Sequence, residues 1–497
     1  MKLDIIIPGN PWPLTPAGGT DNDLMNTEIT NEYRRLKRYR DNEYLFRCQY
    51  EKVYTDWYSR VSTHKQQQDL AYIIANFAKI LTLLCADLQF GEQGEGFNVK
   101  CNDNKTQEAL KNIIVDNRFN ATLYEESGCA SSYRGDAVYK IKVENGKVRI
   151  YSQPACNWFP LTEQGNVKRI QKHILAWEES YGEEKYLRKE THEKGRIISE
   201  IFELSEGLIG NKVSFESLGI TVNNEPIPEV ELTGIDNFLI VSHSNWSVDN
   251  EIHGVDDYED IDSLVSELAA TLSRNALVLM KHTDPNMYGD PNYLESNDDG
   301  SYTLTAGGAF FPVSPDSNPP GYLTWDGKLE AAEKQIDRLI ELLFYVSETS
   351  PACFGLDKSS IAESGAALKK RLLRTLAKVN RKKLYSEPAI KDVLEVAMKL
   401  DVMYCGGKYT PERPTIDWQD GLPEDPNEVA EYTNSRIQGG TMSQLEAIML
   451  LDKCDQETAL KKLEQIQKEK DAALPSWSRT VNGQVPPTQA KDEDDEE

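Results

Sequence analysis

The chain has 497 residues, with 55 Lys and Arg against 81 Asp and Glu, so its formal net charge is −26. That length suggests roughly three domains of about 150 residues and is ample for real hydrophobic cores. A free nucleic-acid binder is ordinarily basic, which this chain is not, and its 23 Tyr, 13 Phe and 8 Trp argue against wholesale disorder.

No stretch reaches the ~20 apolar residues of a membrane-spanning helix; the best candidate, 73–88, carries Asn76, Lys79 and Asp87. The N-terminus, with Asp4 and then Pro8, Pro11, Pro13 and Pro16, lacks the apolar run of a signal peptide. The eight cysteines lie far apart without a C-x-x-C pair, which fits reduced, buried thiols better than a disulfide scaffold or a zinc site. The chain therefore reads as soluble and intracellular.

Residues 1–25, rich in Pro, Gly and Asn, read as an extended arm. From about Asn31 to Ala86 the pattern is helical, and its Arg34, Arg35, Lys37, Arg38 and Arg40 read as a solvated face. Gly91, Gly94 and Gly96 break that helix; following a helix, with this spacing, they do not make a dinucleotide loop. A second helix fits Thr106 to Ser127. Then Val138–Val143 and Lys147–Tyr151 flank Glu144-Asn145-Gly146, and Asn-Gly between β-branched runs is a strong hairpin signal. With further strands at Ile170–Trp177, Arg196–Phe202 and Phe238–Ser242, an antiparallel β unit is expected over about 135–245.

The period then changes. Ile261, Leu264, Val265, Leu268, Leu272 and Leu279 mark one face of a helix over 258–282, roughly 37 Å long. Leu329, Ala332, Ile336, Leu339, Leu343 and Val346 mark a second in a near-heptad seam. The proline-rich insert between them, 283–327, holds a short β signal at Tyr302–Thr305. Residues 347–360 read as a loop, followed by a long helix from Ile361 to Asp401 with a kink expected at Pro388. A linker from Pro411 to Pro426 leads to short helices, with Thr441 and Gln444 as a capping box and Asp455 as a further cap. The last residues, ending in six consecutive acids, read as disordered.

Catalytic signatures are missing. No G-x-x-x-x-G-K-[ST], H-E-x-x-H or G-x-S-x-G occurs. The six histidines (His64, His173, His192, His243, His253, His282) show no metal-ligand spacing. Asn297-Asp298-Asp299-Gly300 does not complete a calcium loop, and Arg134-Gly135-Asp136 reads as a tight turn. No catalytic residue, metal site or cofactor is assigned.

One charge anomaly stands out. Between Ser364 and Ser386 there is no acid, while Lys369, Lys370, Arg371, Arg374, Lys378, Arg381, Lys382 and Lys383 supply eight cations. Lys370, Arg374, Lys378 and Arg381 form a stripe opposite Leu368, Leu372, Leu376 and Val379. Without local acids this stripe must find its counter-charge elsewhere, on a solvated or salt-bridged surface, on neighbouring subunits, or on phosphate.

The order of parts resembles the portal proteins of tailed bacteriophages, siphophage type. The resemblance covers about residues 30–475 and rests on Asn76-Phe77-Ala78-Lys79 running into Leu88-Gln89-Phe90-Gly91-Glu92, on Asn157-Trp158-Phe159-Pro160, and on Phe354-Gly355 followed by Ile361-Ala362-Glu363-Ser364-Gly365-Ala366-Ala367-Leu368-Lys369. It implies an α+β portal fold: a wing over 26–257, helical and then antiparallel β, stem helices at 258–282 and 328–346, and a small β-rich clip over 283–327. It further implies a tunnel loop over 347–360, a long helix returning to the wing over 361–423 and a helical crown over 424–474; the arm 1–25 and the disordered acidic tail 475–497 fall outside it.

The implied function is a dodecameric ring at one capsid vertex through which double-stranded DNA is packaged and ejected, not an enzyme. The implied partners are double-stranded DNA without sequence readout, the terminase large subunit, the major capsid and scaffolding proteins and the head-tail adaptor, with no membrane. The protein would be made in the bacterial host cytoplasm. Thr349, Ser350, Pro351, Phe354, Asp357, Lys358 and Ser359 would line the DNA channel, and the stripe would lie at the channel or a subunit contact. The alternatives are another phage head component, such as a minor capsid or connector protein, and a metal-dependent nuclease using the many carboxylates.

Overall fold

The computed structural model describes residues 22–54, 73–90, 97–163, 166–205, 208–222, 225–248, 251–283, 287–288, 294–296, 298, 302–304, 321–322, 329–356, 365–418, 426–452, 454 and 456–473. The chain is α+β, as expected, and divides into two compact units: residues 1–361 with 370–421, and residues 362–369 with 422–497.

In the first unit the helical stretch expected over 31–86 is interrupted. Helix α1 (Asn22–Phe46) ends at a turn where Cys48 takes a φ of 62°, and α2 (Phe77–Phe90) begins afresh. The side chain of Asn76 starts α2 by accepting the Lys79 N–H at 3.1 Å. Helix thus begins at residue 22, inside the stretch expected to be extended; residues 1–21 lie outside the described residues. After β1 (Phe97–Lys100), the helix expected over 106–127 is also split. Asp103 caps α3 (Asn104–Asp116), and Arg118, at φ 48°, separates it from α4 (Phe119–Leu123). A π-turn (Tyr124–Ala130) and α5 (Ser131–Arg134) follow.

Strands β2 (Asp136–Glu144) and β3 (Lys147–Ser152) form the expected hairpin. Asn145 and Gly146, at φ 52° and 71°, both adopt the positive φ that a type I′ turn needs. The remaining strands of this region are β4 (Trp158–Glu163), β5 (Asn166–Tyr181), β6 (Glu184–Glu193), β7 (Arg196–Ser205), β8 (Leu208–Val213), β9 (Thr221–Val222), β10 (Glu225–Pro226), β11 (Val230–Leu232) and β12 (Ile240–Ser244). All pairings are antiparallel, in a β12-β2-β3 sheet, a six-stranded sheet of order β11-β7-β6-β5-β4 with β8 also on β7, and the pair β9-β10. The sequence reading missed β6, whose residues Glu184 to Glu193 carry six charged side chains that mask the alternation.

Helix α6 (Asp262–Thr283) leads to an insert whose described strands are β13 (Met287–Tyr288), β14 (Leu294–Ser296), β15 (Tyr302–Leu304) and β16 (Gly321–Tyr322). β13 pairs with β16 and β14 with β15, so the two ends of the insert meet; its Gly307-Gly308 lies outside the described residues. α7 (Leu329–Val346) returns against α6. The long helix expected over 361–401 is two, α8 (Gly365–Arg371) and α9 (Leu373–Leu400). The break falls at Leu372 and not at Pro388, through which α9 runs without interruption. Pro388 leaves the carbonyl of Leu384 without its helical donor, and both residues sit on the exposed side of the helix. The linker over 411–426 contains β17 (Thr415–Trp418), which pairs with β1.

The second unit carries α10 (Pro426–Gln438), α11 (Gln444–Leu451) and α12 (Gln456–Ala473), with Thr433, Ala447 and Ala459 buried. The capping box before α11 is Ser443 with Glu446, two residues on from the expected Thr441 and Gln444. Thr441 instead bonds the carbonyl of Arg436. Asp455 and the acidic tail lie outside the described residues.

Among the described residues, the three largest hydrophobic clusters organise the first unit. The second half of α9, through Ile390, Val393, Leu394 and Ala397, packs with α3 and α4 on the β2-β3 sheet. Leu36 and Tyr39 of α1 cover Trp158, Phe159, Ile174, Leu175 and Leu187 of the larger sheet. Leu45, Tyr50, Leu81, Tyr258, Ile261, Val265 and Leu343 join α1, α2, α6 and α7. Each such side chain contributes about 1.5–3 kcal/mol, so α6 is anchored at its N-terminal end. Leu279, expected on the same buried face, is about half exposed.

The two sheets enclose uncharged histidines, His173 and His192 on the larger and His243 on β12 of the smaller. Trp158 donates to Nδ1 of His173 at 3.1 Å, and burial drives the His173 pKa from 6.5 to about 3; burial also lowers those of His192 and His243. These groups stabilise the fold fully above pH 6.5 and progressively less as pH falls towards 3. Glu126, pushed up to about 7 by burial, acts in the opposite sense as pH falls below 7. Urea unfolding across this range should therefore give a shallower acid loss for His173→Gln than for the wild-type chain.

Candidate functional site

The entrance to α6 is where the elements converge. Gly135, at φ 92°, ends α5 so close to Gly254 that a Cβ on Gly135 would lie 2.4 Å from the Gly254 carbonyl oxygen. This approach admits no side chain and sets the segment 254–258 beside α5, where the Asp257 N–H donates to the Ser132 carbonyl at 2.8 Å. Five carboxylates follow in seven residues, and three of them, Asp256, Asp257 and Asp262, meet cations of α1 and α9. Arg38 of α1 grips Asp256 through two parallel bonds of 3.0 and 2.9 Å and also reaches Asp262. Arg35 is largely buried, bonding Glu32 and the carbonyls of Ala155 and Trp158. The basic run of α1 is therefore not simply a solvated face, because two of its members tie α1 to the sheet and to α6.

Asp257 is buried and faces α9. It pairs with Lys378 at 3.4 Å and with Lys382, and accepts a bond from Ser132. Burial alone would raise the Asp257 pKa, but the charges of Lys378 and Lys382 hold it well below the usual carboxylate range. Burial likewise opposes the charge on Lys378, and Asp257 outweighs it, so the Lys378 pKa is raised. Lys378 also donates to the Ser347 carbonyl at 3.1 Å.

The loop after α7 joins the same assembly. Glu348, at φ 57°, receives Arg374 at 3.0 Å and Arg381 at 2.9 Å. Thr375 donates to the Glu348 carbonyl and accepts the Ser350 N–H at 2.9 Å. The structure thus brings the two expected residue groups together, loop upon stripe. Of the sources of counter-charge left open, the structure shows one: for Arg374, Lys378 and Arg381 it lies within the chain, on Glu348 and Asp257. Of the expected faces, Leu372 and Val379 are buried and Lys370 and Arg374 are exposed, while Lys378 of the basic stripe is buried.

The remaining site residues divide by exposure. Thr349 is buried and bonds the Ser347 carbonyl, so Thr349 and Lys378 are anchors whose side chains are not available to line a channel. Ser350 caps a 3-10 turn (Pro351–Phe354) inside the stretch expected to be loop; Pro351 is exposed, and Phe354 lies 5.5 Å from the Phe344 ring. Lys370 and Arg374 are exposed. Asp357, Lys358 and Ser359 lie outside the described residues. Sequence reasoning missed Glu348, Asp257 and Lys382; the one local sign was the Lys378–Lys382 spacing of a single helical turn.

Among the described residues no group of His, Cys, Asp and Glu is placed to hold a metal ion. Ser127 and His243 lie 2.8 Å apart, a nucleophile-base pairing in type, but both are buried and Tyr139 occupies the same hydroxyl. An open cleft of about 470 Å³ is lined by opposing charges, Lys105, Lys147 and Lys408 with Glu108, Asp116 and Asp401.

A family model described as "Phage portal protein, SPP1 Gp6-like" matches residues 26–476. The chain belongs to that family. It is therefore a bacteriophage portal protein, a structural component of the virion that serves genome packaging, and its family implies an oligomeric ring in the phage head. No curated protein matches the chain. Among the described residues of this portal protein no helix is long and apolar enough to cross a membrane.

Removing a partner from a buried ion cluster costs about 3–5 kcal/mol, whereas an exposed pair contributes about 1 kcal/mol or less. Asp257→Ala should accordingly lower the stability of the portal protein in urea by about 3–5 kcal/mol. Arg374→Ala, which removes a mostly exposed partner of Glu348, should change it by about 1 kcal/mol at most.

Proposed function

We propose that copies of this chain close into a dodecameric ring at one capsid vertex, through which double-stranded DNA passes inward during packaging and outward during ejection. The observation that carries this reading is the family match across 451 residues, 26 to 476. In this reading α6 and α7 are the stem helices, and the insert, whose first and last strands pair, is a clip at their tip. The insert would dock the terminase large subunit and later the head-tail adaptor, while major capsid and scaffolding proteins surround the ring. The sheets form the wing, and the helices of the second unit the crown. The chain has no catalytic role, the packaging motor being a separate protein, and it is made in the host cytoplasm before incorporation into the virion.

Physical chemistry supports the assignment. Duplex DNA carries one negative charge per about 1.7 Å, and a channel in which it must slide cannot hold it tightly. A chain of net charge −26, repeated around a bore, keeps the duplex centred and limits adhesion. Of the tunnel-loop stretch 347–360, the part able to face the bore begins at Pro351, because Ser347 and Thr349 are buried. Of the basic stripe, Lys370 and Arg374 are the members exposed enough to meet DNA or a neighbouring subunit.

Native mass spectrometry and end-on electron microscopy of the purified full-length chain test the proposal. The expected result is a closed ring with a central opening wide enough for B-form DNA, and no divalent-metal-dependent cleavage of plasmid DNA. A chain that stays monomeric at every concentration, or an assembly without an opening, would overturn it.

A further inference from the structure

Among the described residues, seven large apolar side chains are at least 60 % exposed, and four of them, Tyr345, Leu356, Leu373 and Leu384, fall between 345 and 384. Such a concentration of exposed apolar surface marks an interaction site more often than chance. On α9 the pattern is regular. Leu373, Ala377, Asn380 and Leu384 are all exposed at helical spacing, so they form one strip along the helix. Lys370 stands at the head of this strip and has no acidic partner among the described residues.

A second face is complementary to it. On α7, Lys334 pairs with Glu330 at 2.6 Å and Arg338 with Glu341 at 3.0 Å. That leaves Glu333 and Asp337, one turn apart and exposed, without an ion pair among the described residues. Tyr345, two turns beyond Asp337 on the same row, is 85 % exposed. α9 therefore presents leucines, with the unpaired Lys370 just ahead of them at the end of α8, and α7 presents an aromatic ring beside unpaired acids.

We infer that the Leu373–Leu384 strip of one copy docks on the Glu333–Asp337–Tyr345 face of the next. The occupant is a second copy of this chain in head-to-tail orientation. A two-fold contact through the α9 strip alone would set leucine and lysine against themselves and leave the acids of α7 unmet. Pairing unlike faces satisfies both, and a heterologous contact of this kind closes into a ring when its rotation permits. This assignment rests on the ring reading and names the surfaces that build the ring.

The test uses the full-length chain, following ring formation against concentration by native mass spectrometry, with far-UV circular dichroism and urea unfolding as folding controls. Leu373→Lys and Leu384→Lys, being changes at exposed positions, should leave folding unchanged and raise the assembly midpoint at least tenfold. Val115→Lys, equally exposed but on α3, should leave the midpoint unmoved. Lys370→Glu should weaken assembly, and adding Glu333→Lys with Asp337→Lys should restore it. Leucine variants that assemble like the wild-type chain, or a charge exchange that fails to restore assembly, would overturn the assignment while the ring reading stands. A wild-type chain that forms no ring would overturn the ring reading itself.

Discussion

Two adjacent carboxylates at the entrance to α6 hold the first unit together. Asp256 is bound by Arg38 of α1, and its neighbour Asp257 by Lys378 and Lys382 of α9. Consecutive side chains point in different directions, so one short segment grips two helices on opposite sides. Desolvating Asp257 is unfavourable alone, and two buried lysines without it would be worse. The cluster is consequently a specifier of arrangement: α9 docks in one position along its length because only there do both ammonium groups reach the same carboxylate.

From that point the two long helices of the α6–α7 pair leave with unequal support. Ile261, Val265 and Leu268 bury the start of α6, and Leu343 and Phe344 bury the end of α7, so both helices are held at the end nearest the ion cluster. Towards the insert, the seam of α7 is only half buried: Leu329, Ala332, Ile336 and Leu339 keep part of their surface in water. Apolar helix faces left incompletely covered in an isolated chain suit a protein whose family assembles into a ring.

Charge is partitioned in the same spirit. The chain as a whole is strongly anionic, yet the cations of α9 are mostly neutralised internally, by Glu348 at the surface and Asp257 inside. A helix whose sequence left its counter-charge open, between a salt-bridged face, a neighbouring subunit and phosphate, uses most of its positive charge within its own fold. The loop after α7 is tied down in consequence, since Glu348 cannot receive Arg374 and Arg381 without bringing Ser347, Thr349 and Ser350 against α9.

What the sequence determined by itself was whatever depends on near neighbours. The Asn145-Gly146 hairpin, the span of α7, the helix at α6, the antiparallel β region and the resemblance of the ordered parts to a portal all follow from period, turn residues and local motifs. Tertiary structure decided the rest. It placed the helix break at Leu372 rather than Pro388, buried Arg35 where a solvated face was expected, and turned Thr349 and Lys378 into anchors. The partner of Lys382 lies 125 residues away along the chain. Nothing in the composition of either segment announces the other, because an ion pair is chosen by which surfaces the cores bring together, and that choice exists only once the chain has folded.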